Sequence, residues 1–178
     1  MNFLPAIPDP LHPALVHFPI VLILLGTITS VLAVFWRKGY VPAFAAALLL
    51  LGAIGAWASV ATGKSDGGLI ENTSVGVEAL LEAHENWAER TLTAAAIAAA
   101  MAAASVALFR FPRVERGVAV AAAFAAMVAA WMVYETGHRG GALVYQHGAG
   151  VNTTSATTVL ETSAVAQSSE SLKERDRD

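Results

Sequence analysis

Residues 15–36 read LVHFPIVLILLGTITSVLAVFW and contain no charged side chain. A helix needs about 20 apolar residues to cross the hydrocarbon core of a bilayer. Three more runs of this kind follow, and their alanines favour helix because alanine has the best helix propensity. The sequence therefore predicts an all-α fold, an integral membrane four-helix bundle, with spans at roughly Leu15–Trp36, Val41–Ala61, Thr91–Phe109 and Gly117–Tyr134.

The composition agrees with a membrane protein. Apolar residues make up 56% of the chain and charged residues only 14%, whereas soluble domains carry about 25% charged residues. The net charge of −3 and the lack of a basic stripe exclude a nucleic-acid-binding protein. The chain has no cysteine, which excludes disulfides, thiolate-bound metals and haem attached through a C-x-x-C-H motif.

The charges of the loops predict an orientation. Both short loops are basic, the first through Arg37 and Lys38 and the second through three arginines, while the longer central loop is acidic. The positive-inside rule places the basic loops in the cytoplasm and both termini outside. We expect a multi-pass protein of the bacterial inner (cytoplasmic) membrane, with residues 1–151 as the membrane domain and residues 152–178 as a flexible polar tail.

All five histidines fall on the same predicted side of the membrane: His12, His17, His84, His138 and His147. A polar residue so close to the hydrocarbon marks a candidate functional site. Pro19 lacks an N–H and should loosen the first helix beside His17, which opens space next to that imidazole. His17 is therefore the preferred ligand on the first span and His12 the second choice, although a histidine anchored at the lipid headgroups is the plain alternative.

His84 precedes the third span on a segment with two faces. Glutamates recur at helical spacing on one face, at Glu78, Glu82, Glu85 and Glu89, and are expected to be solvated. The opposite, apolar face contains His84 and Trp87. A histidine on a buried face needs a hydrogen-bond partner or a metal, so His84 is either a ligand or a satisfied core histidine.

The fourth span ends in a third histidine site. Helical spacing puts Trp131, Tyr134 and His138 on one face together with Met127, and we expect this face to point inward. Three glycines, Gly137, Gly140 and Gly141, are expected to end the helix. A short re-entrant or surface segment after them is one way to bring His147 back, although nothing in the spacing requires it. Glu135 either orients an imidazole by accepting a hydrogen bond from it, pairs with Arg139, or is an ordinary charge at the membrane interface.

Taken together, several motifs resemble a known family. They are Leu11-His12-Pro13-x-Leu15-Val16-His17-Phe18-Pro19, then Thr62-Gly63, then His84, and finally Thr136-Gly137-His138-x-Gly140-Gly141-x-Leu143-Val144-Tyr145-x-His147-Gly148. Over residues 11–151 the chain resembles bacterial membrane proteins grouped as domain of unknown function 2231. The resemblance implies four membrane spans and suggests that the histidine motifs belong to one site, without naming a ligand.

Haem b is the cofactor that these histidines suggest first. Two imidazoles bind a haem iron from facing helices at matching depth. The favoured pair is His17 with His84, which belong to diagonal spans; His138 is able to replace either. Trp87, Trp131 and Tyr134 would form aromatic walls. The protein would then be an electron-transfer subunit, without catalysis of its own, that exchanges electrons with a periplasmic cytochrome or within a larger membrane complex.

Two alternatives remain open at this point. Three imidazoles, those of His17, His84 and His138, also suit copper or zinc, and His12 and His147 are further candidate ligands. In the other alternative the protein is a structural subunit of a membrane complex, and its histidines only anchor the headgroups.

Overall fold

The computed structural model describes residues 11–37, 39–67 and 75–148, and every regular element in them is helical. The elements are α1 (His12–Leu15), α2 (His17–Phe35), α3 (Val41–Gly67), α4 (Val75–Ala107) and α5 (Pro112–His147). Four helices are long and apolar enough to cross a membrane, with α1 and α2 together forming the first. The predicted all-α, four-span fold is confirmed, while the tail at 152–178 lies outside the described residues.

The first span is interrupted at Val16, between α1 and α2. The N–H of Val16 donates to the carbonyl of His12 at 3.1 Å, and the N–H of Ile20 reaches the carbonyl of Val16 at 3.4 Å. Pro19 has no N–H to give to the preceding turn, so this turn lacks one helical bond. The predicted loosening of the helix beside His17 is confirmed.

The four spans form a ring in which α2 and α4 occupy opposite corners. Each of these two helices packs against both α3 and α5. The helices approach closely at small residues. At Gly26, for example, an added Cβ would lie 2.8 Å from Cδ2 of Leu49, and at Gly52 it would lie 2.9 Å from Cγ1 of Ile23. Alanines at positions 95, 98, 126 and 129 are completely buried and fill the centre of the bundle.

The helices extend well past the apolar runs at the end that carries the histidines. α5 continues through Gly137, Gly140 and Gly141 and ends only at His147, after which Gly148, with a φ of 63°, forms a left-handed cap. The prediction that the three glycines end this helix was wrong. Each glycine costs about 1 kcal/mol relative to alanine in a helix, and the packing of α5 along α4 outweighs that cost.

The length of α5 also decides where His147 lies. At 1.5 Å per residue it is roughly 13 Å further along the helix than His138, and its side chain is exposed. The helix therefore carries His147 away from His138, and residues 139–147 form helix rather than a re-entrant segment.

At the opposite end of the bundle an ion pair connects the first loop to the start of α5. Arg37 and Glu115 form this pair, and both side chains are largely shielded from solvent. The pair links the first loop to the last helix, so the ring of helices is closed at the end away from the histidines.

Candidate functional site

Two imidazoles lie side by side at the histidine-bearing end of the bundle. The ring centroids of His12 and His84 are 6.3 Å apart, and the ring planes are nearly perpendicular at 86°. Both side chains are partly buried, whereas His17 is exposed. The structure therefore brings together His84 and His12 rather than the favoured pair of His84 and His17. His12 opens α1, which packs on α3, while His17 lies beyond the break and faces outward.

The ring of His12 is fixed on α3. Its Nδ1 lies 2.8 Å from the carbonyl oxygen of Ser59, and because a carbonyl only accepts, Nδ1 must carry the proton. A Cβ on Gly63 would lie 3.0 Å from both Cε1 and Nδ1 of the ring. The backbone N–H of His12 also donates to Oδ2 of Asp66 at 2.9 Å. We call Ser59 with Gly63 the α3 seat.

The ring of His84 is fixed on α5 in the same manner. Its Nδ1 donates to the carbonyl oxygen of Thr136 at 3.0 Å, and a Cβ on Gly140 would lie 2.9 Å from Cε1. The hydroxyl of Thr136 is 2.9 Å from the hydroxyl of Thr91, which joins α4 to α5 one step deeper in the bundle. We call Thr136 with Gly140 the α5 seat.

The two seats are copies of one arrangement. In each, a carbonyl accepts from Nδ1 and a glycine follows four residues later, one helical turn on. The helices that carry the histidines also match in part, because several of their buried positions fall at equal distances from His12 and from His84. The matching buried pairs are Pro19 and Thr91, Ile23 and Ala95, Gly26 and Ala98, Ser30 and Ala102, and Ala33 and Ser105. The contact of the first span with α3 thus resembles the contact of α4 with α5.

The seats fix the tautomer of both rings. When Nδ1 of a neutral imidazole carries the proton, the lone pair is on Nε2. In the part of the chain that the structure describes, the hydrogen bond of each ring runs through Nδ1. Metal-bound histidines use this arrangement, in which one nitrogen donates to a carbonyl and the other binds the metal. His12 and His84 thus present two Nε2 lone pairs at one end of the bundle.

The remaining residues of the predicted site are arranged differently. His138 is exposed and stacks on Tyr134 at a centroid distance of 6.3 Å. Trp131 and Tyr134 are 59% and 63% exposed, and Met127 on the same face is 47% exposed. The prediction that this face points inward was wrong. Lipid tails accommodate large apolar side chains as well as a protein interior does, so α5 packs through its small residues instead.

Trp87 remains close to the site. It lies one turn after His84 on α4 and is partly buried. The guanidinium of Arg139 lies 4.4 Å from the centre of its ring, and Arg139 also pairs with Glu135. Of the three alternatives for Glu135, the structure shows the pairing with Arg139. The group ties α4 to α5 beside the α5 seat.

The two faces of α4 before the membrane are as the sequence predicts. Val77 and Thr91 are buried on the face of His84. Three of the four glutamates on the other face are exposed, and Glu85 is the exception because its Oε1 lies 3.1 Å from the position of a Cβ on Gly67. Glu89 pairs with Lys64 of α3 at 2.6 Å. The acidic face is thus solvated except where α3 covers it.

Within the described residues, no three His, Asp or Glu side chains converge closely enough to hold a metal ion. Two imidazoles do converge, but they are not the pair that the sequence predicts. The sequence favours His17 over His12, and its three glycines indicate a helix end at Gly140. A signal that was available is that Gly26, Ser30 and Ala33 follow His12 at the same distances at which Ala98, Ala102 and Ser105 follow His84.

Comparison with known proteins gives a family and nothing finer. Neither a curated protein nor a solved structure matches the chain. The model of one family, described as predicted membrane protein DUF2231, matches residues 8–153 and so covers the spans and both seats. The match confirms the resemblance seen in the motifs, and the chain belongs to the DUF2231 family of membrane proteins.

Proposed function

We propose that this protein is a membrane-embedded redox subunit that binds b-type haem between His12 and His84. The separation of the two rings carries the proposal. Two opposed imidazoles that bind one metal with bonds of about 2.0 Å hold their ring centroids roughly 6 Å apart. The centroids of His12 and His84 are 6.3 Å apart, a separation that two imidazoles bound to one metal would also have.

The number of protein ligands favours haem over a copper or zinc ion. A porphyrin supplies four nitrogens itself, so the protein has to add only two axial ligands. Copper and zinc sites ordinarily take three or four ligands from the protein. The described residues bring two imidazoles together and no third His, Asp or Glu.

The seats support a role in electron transfer. A haem with two histidine ligands supplies one-electron chemistry and has no open position for a substrate. In this chain the Ser59 and Thr136 carbonyls hold the rings through Nδ1, and Gly63 and Gly140 pack against them. Rings held in this way keep the same orientation in both oxidation states, which lowers the reorganisation that accompanies transfer of an electron.

The location of the site supports an extramembrane partner. The paired histidines lie at the end of the bundle opposite to the ion pair of Arg37 with Glu115. The basic short loops at that other end favour a cytoplasmic location under the positive-inside rule. In this orientation the histidine pair faces the periplasm of a bacterial inner membrane, within reach of a periplasmic electron carrier or of another subunit of a membrane complex.

The first test is the absorption spectrum of the intact protein purified after expression with ample haem. We expect a Soret band with the sharp visible bands of a six-coordinate, low-spin haem. His12→Ala should lose the haem or convert it to a five-coordinate form. His17→Ala is the matched control on the same span and should leave the spectrum unchanged, because His17 is exposed.

Other outcomes of this test separate the alternatives. The absence of a Soret band from protein made with ample haem would overturn the proposal. Metal analysis that then found about one copper or zinc ion per chain would favour the metal-ion alternative. Protein with neither haem nor metal would support the structural subunit.

The orientation is tested with cysteines, since the natural chain has none. Tyr40→Cys in the first loop and Glu82→Cys on α4 place single thiols at exposed positions near opposite ends. A membrane-impermeant maleimide added to spheroplasts should label Glu82→Cys and leave Tyr40→Cys unlabelled until the membrane is opened. The reverse pattern would place the histidine pair in the cytoplasm.

A further inference from the structure

We propose that Gly63 and Gly140 are positioning residues, each of which sets the ring orientation and the tautomer of one imidazole of the pair. Only the expected effect on haem binding rests on the proposed function. The positions of the ring atoms against the two glycines are observed independently of any cofactor.

The contact at Gly140 leaves no room for a side chain. An added Cβ would lie 2.9 Å from Cε1 of His84, 3.3 Å from Nδ1 and 3.7 Å from Nε2. Cβ atoms in proteins do not approach carbon atoms as closely as 2.9 Å, so one group must move. The obstacle is the end of a side chain and not backbone. Gly140→Ala should therefore push the ring off the Thr136 carbonyl while α5 keeps its course.

Gly63 likewise leaves no room for a side chain beside the ring of His12. An added Cβ would lie 3.0 Å from Cε1 and 3.0 Å from Nδ1, the atom that donates to Ser59. The methyl group of an alanine would thus press on the atom that holds the tautomer. Glycine is unfavourable inside a helix, and at both seats the closely packed imidazole explains why it is present.

A matched control lies on the same helix as the α5 seat. Gly137 is also inside α5, three residues before Gly140. An added Cβ there would meet nothing within 4 Å. Gly137→Ala therefore makes the same chemical change in the same helix without touching a histidine.

The experiment uses the full chain labelled with ¹⁵N-histidine, purified with and without added haem. The nitrogen shifts should show that two of the five rings carry the proton on Nδ1 in the chain without haem. Gly140→Ala and Gly63→Ala should each convert one of these two rings to another state, and Gly137→Ala should convert neither. Haem affinity should fall about tenfold or more in the two seat variants, as it does when partners of metal ligands are removed.

Thermal stability gives a second readout that does not need haem. Gly140→Ala should lower the Tm in the natural chain but not in a His84→Ala background, where the obstructing ring is absent. Such non-additivity is the mark of a direct contact. An equal loss in both backgrounds would mean that Gly140 serves only helix packing, and would overturn the inference.

The outcomes distinguish this inference from the proposed function. Two rings protonated on Nδ1, each lost in its own seat variant, in a protein that binds no haem would support the seats and overturn the haem proposal. The wild-type protein could instead bind haem while the Gly63→Ala and Gly140→Ala variants keep both the nitrogen shifts and the haem affinity. That result would overturn the positioning role of the two glycines and leave the haem proposal intact.

Discussion

The two faces of α5 contrast in both size and burial. Within the membrane, one face consists mainly of small residues, among them Ala122, Ala126 and Ala129, and it is buried. Gly140 continues this face beyond the apolar run and packs against His84, and Leu143 is a large buried residue near its end. The other face holds the large side chains Met127, Trp131 and Tyr134, then His138, and all four are exposed. In the membrane-spanning part of this helix, size and not hydrophobicity decides what lies inside.

The physical reason is the solvent. In water the largest apolar side chains are driven to the interior, but lipid tails offer them an equally apolar environment. Helix association in lipid therefore depends on close van der Waals packing between helix backbones, and small residues permit this close approach. The histidine that packs against the small face of α5 is therefore His84 of α4, whereas His138 and His147 of α5 itself are exposed.

The largest predicted effect compares His84, which packs on the buried face of α5, with His138, which lies on the exposed face. On the proposed function, His84→Ala should lose the haem or convert it to a five-coordinate form, because it would remove one of the two imidazole ligands. His138→Ala should leave the haem affinity within about twofold of the wild type, since an exposed residue outside the site has little effect. Titration of haem into both purified variants measures the difference. A complete loss in His138→Ala would contradict the assignment of the two faces.

The second prediction compares the buried and the exposed face of α5 through the free energy of unfolding. Ala126→Leu inserts three carbons at a position with 0% exposure, and overpacking of this kind typically costs about 1–3 kcal/mol. Met127→Leu, the neighbouring residue on the exposed face, should change the free energy of unfolding by less than about 0.5 kcal/mol. Unfolding in mixed micelles with increasing SDS measures both. Equal losses would indicate that both faces are packed, for example in an oligomer.

A smaller effect is expected at the hydroxyl pair below the α5 seat. Thr136→Val removes the bond to the hydroxyl of Thr91 and the bond that the Thr136 hydroxyl donates to the carbonyl of Met132, but it keeps the carbonyl that holds His84. Hydrogen bonds between membrane helices contribute about 0.6 kcal/mol on average, and the loss should be of this order with haem binding retained. Thr93→Val is the control, because its exposed hydroxyl bonds only to the carbonyl of Glu89 in its own helix. Loss of haem in Thr136→Val would show that the hydroxyl, too, holds the ligand.

The spans were predictable from sequence because a bilayer imposes one requirement, a long apolar helix, that can be read residue by residue. The break at Val16 followed from Pro19, since the missing N–H is a local property. The buried face of α4 before the membrane followed from its contrast with four glutamates. Each of these three features is caused by residues within a short stretch of the sequence, so it can be predicted from that stretch alone.

The site was not predictable to the same degree because its causes are not local. The choice of His12 over His17 depends on how α1 lies on α3, and the role of Gly140 depends on a ring supplied by α4. Read alone, three glycines near the end of α5 indicate a helix terminus. Only the packing of α4 shows that the helix continues and that one glycine leaves space for an imidazole.

The most direct test of the central claim is low-temperature electron paramagnetic resonance of the oxidised, full-length protein with haem bound. Two imidazole ligands whose planes are nearly perpendicular, as those of His12 and His84 are at 86°, would give a low-spin ferric signal of very high anisotropy. We predict this signal in the wild type and in His17→Ala, and its loss in His12→Ala and in His84→Ala. A high-spin ferric signal in the wild type, or a low-spin signal that persists in His12→Ala, would contradict the account.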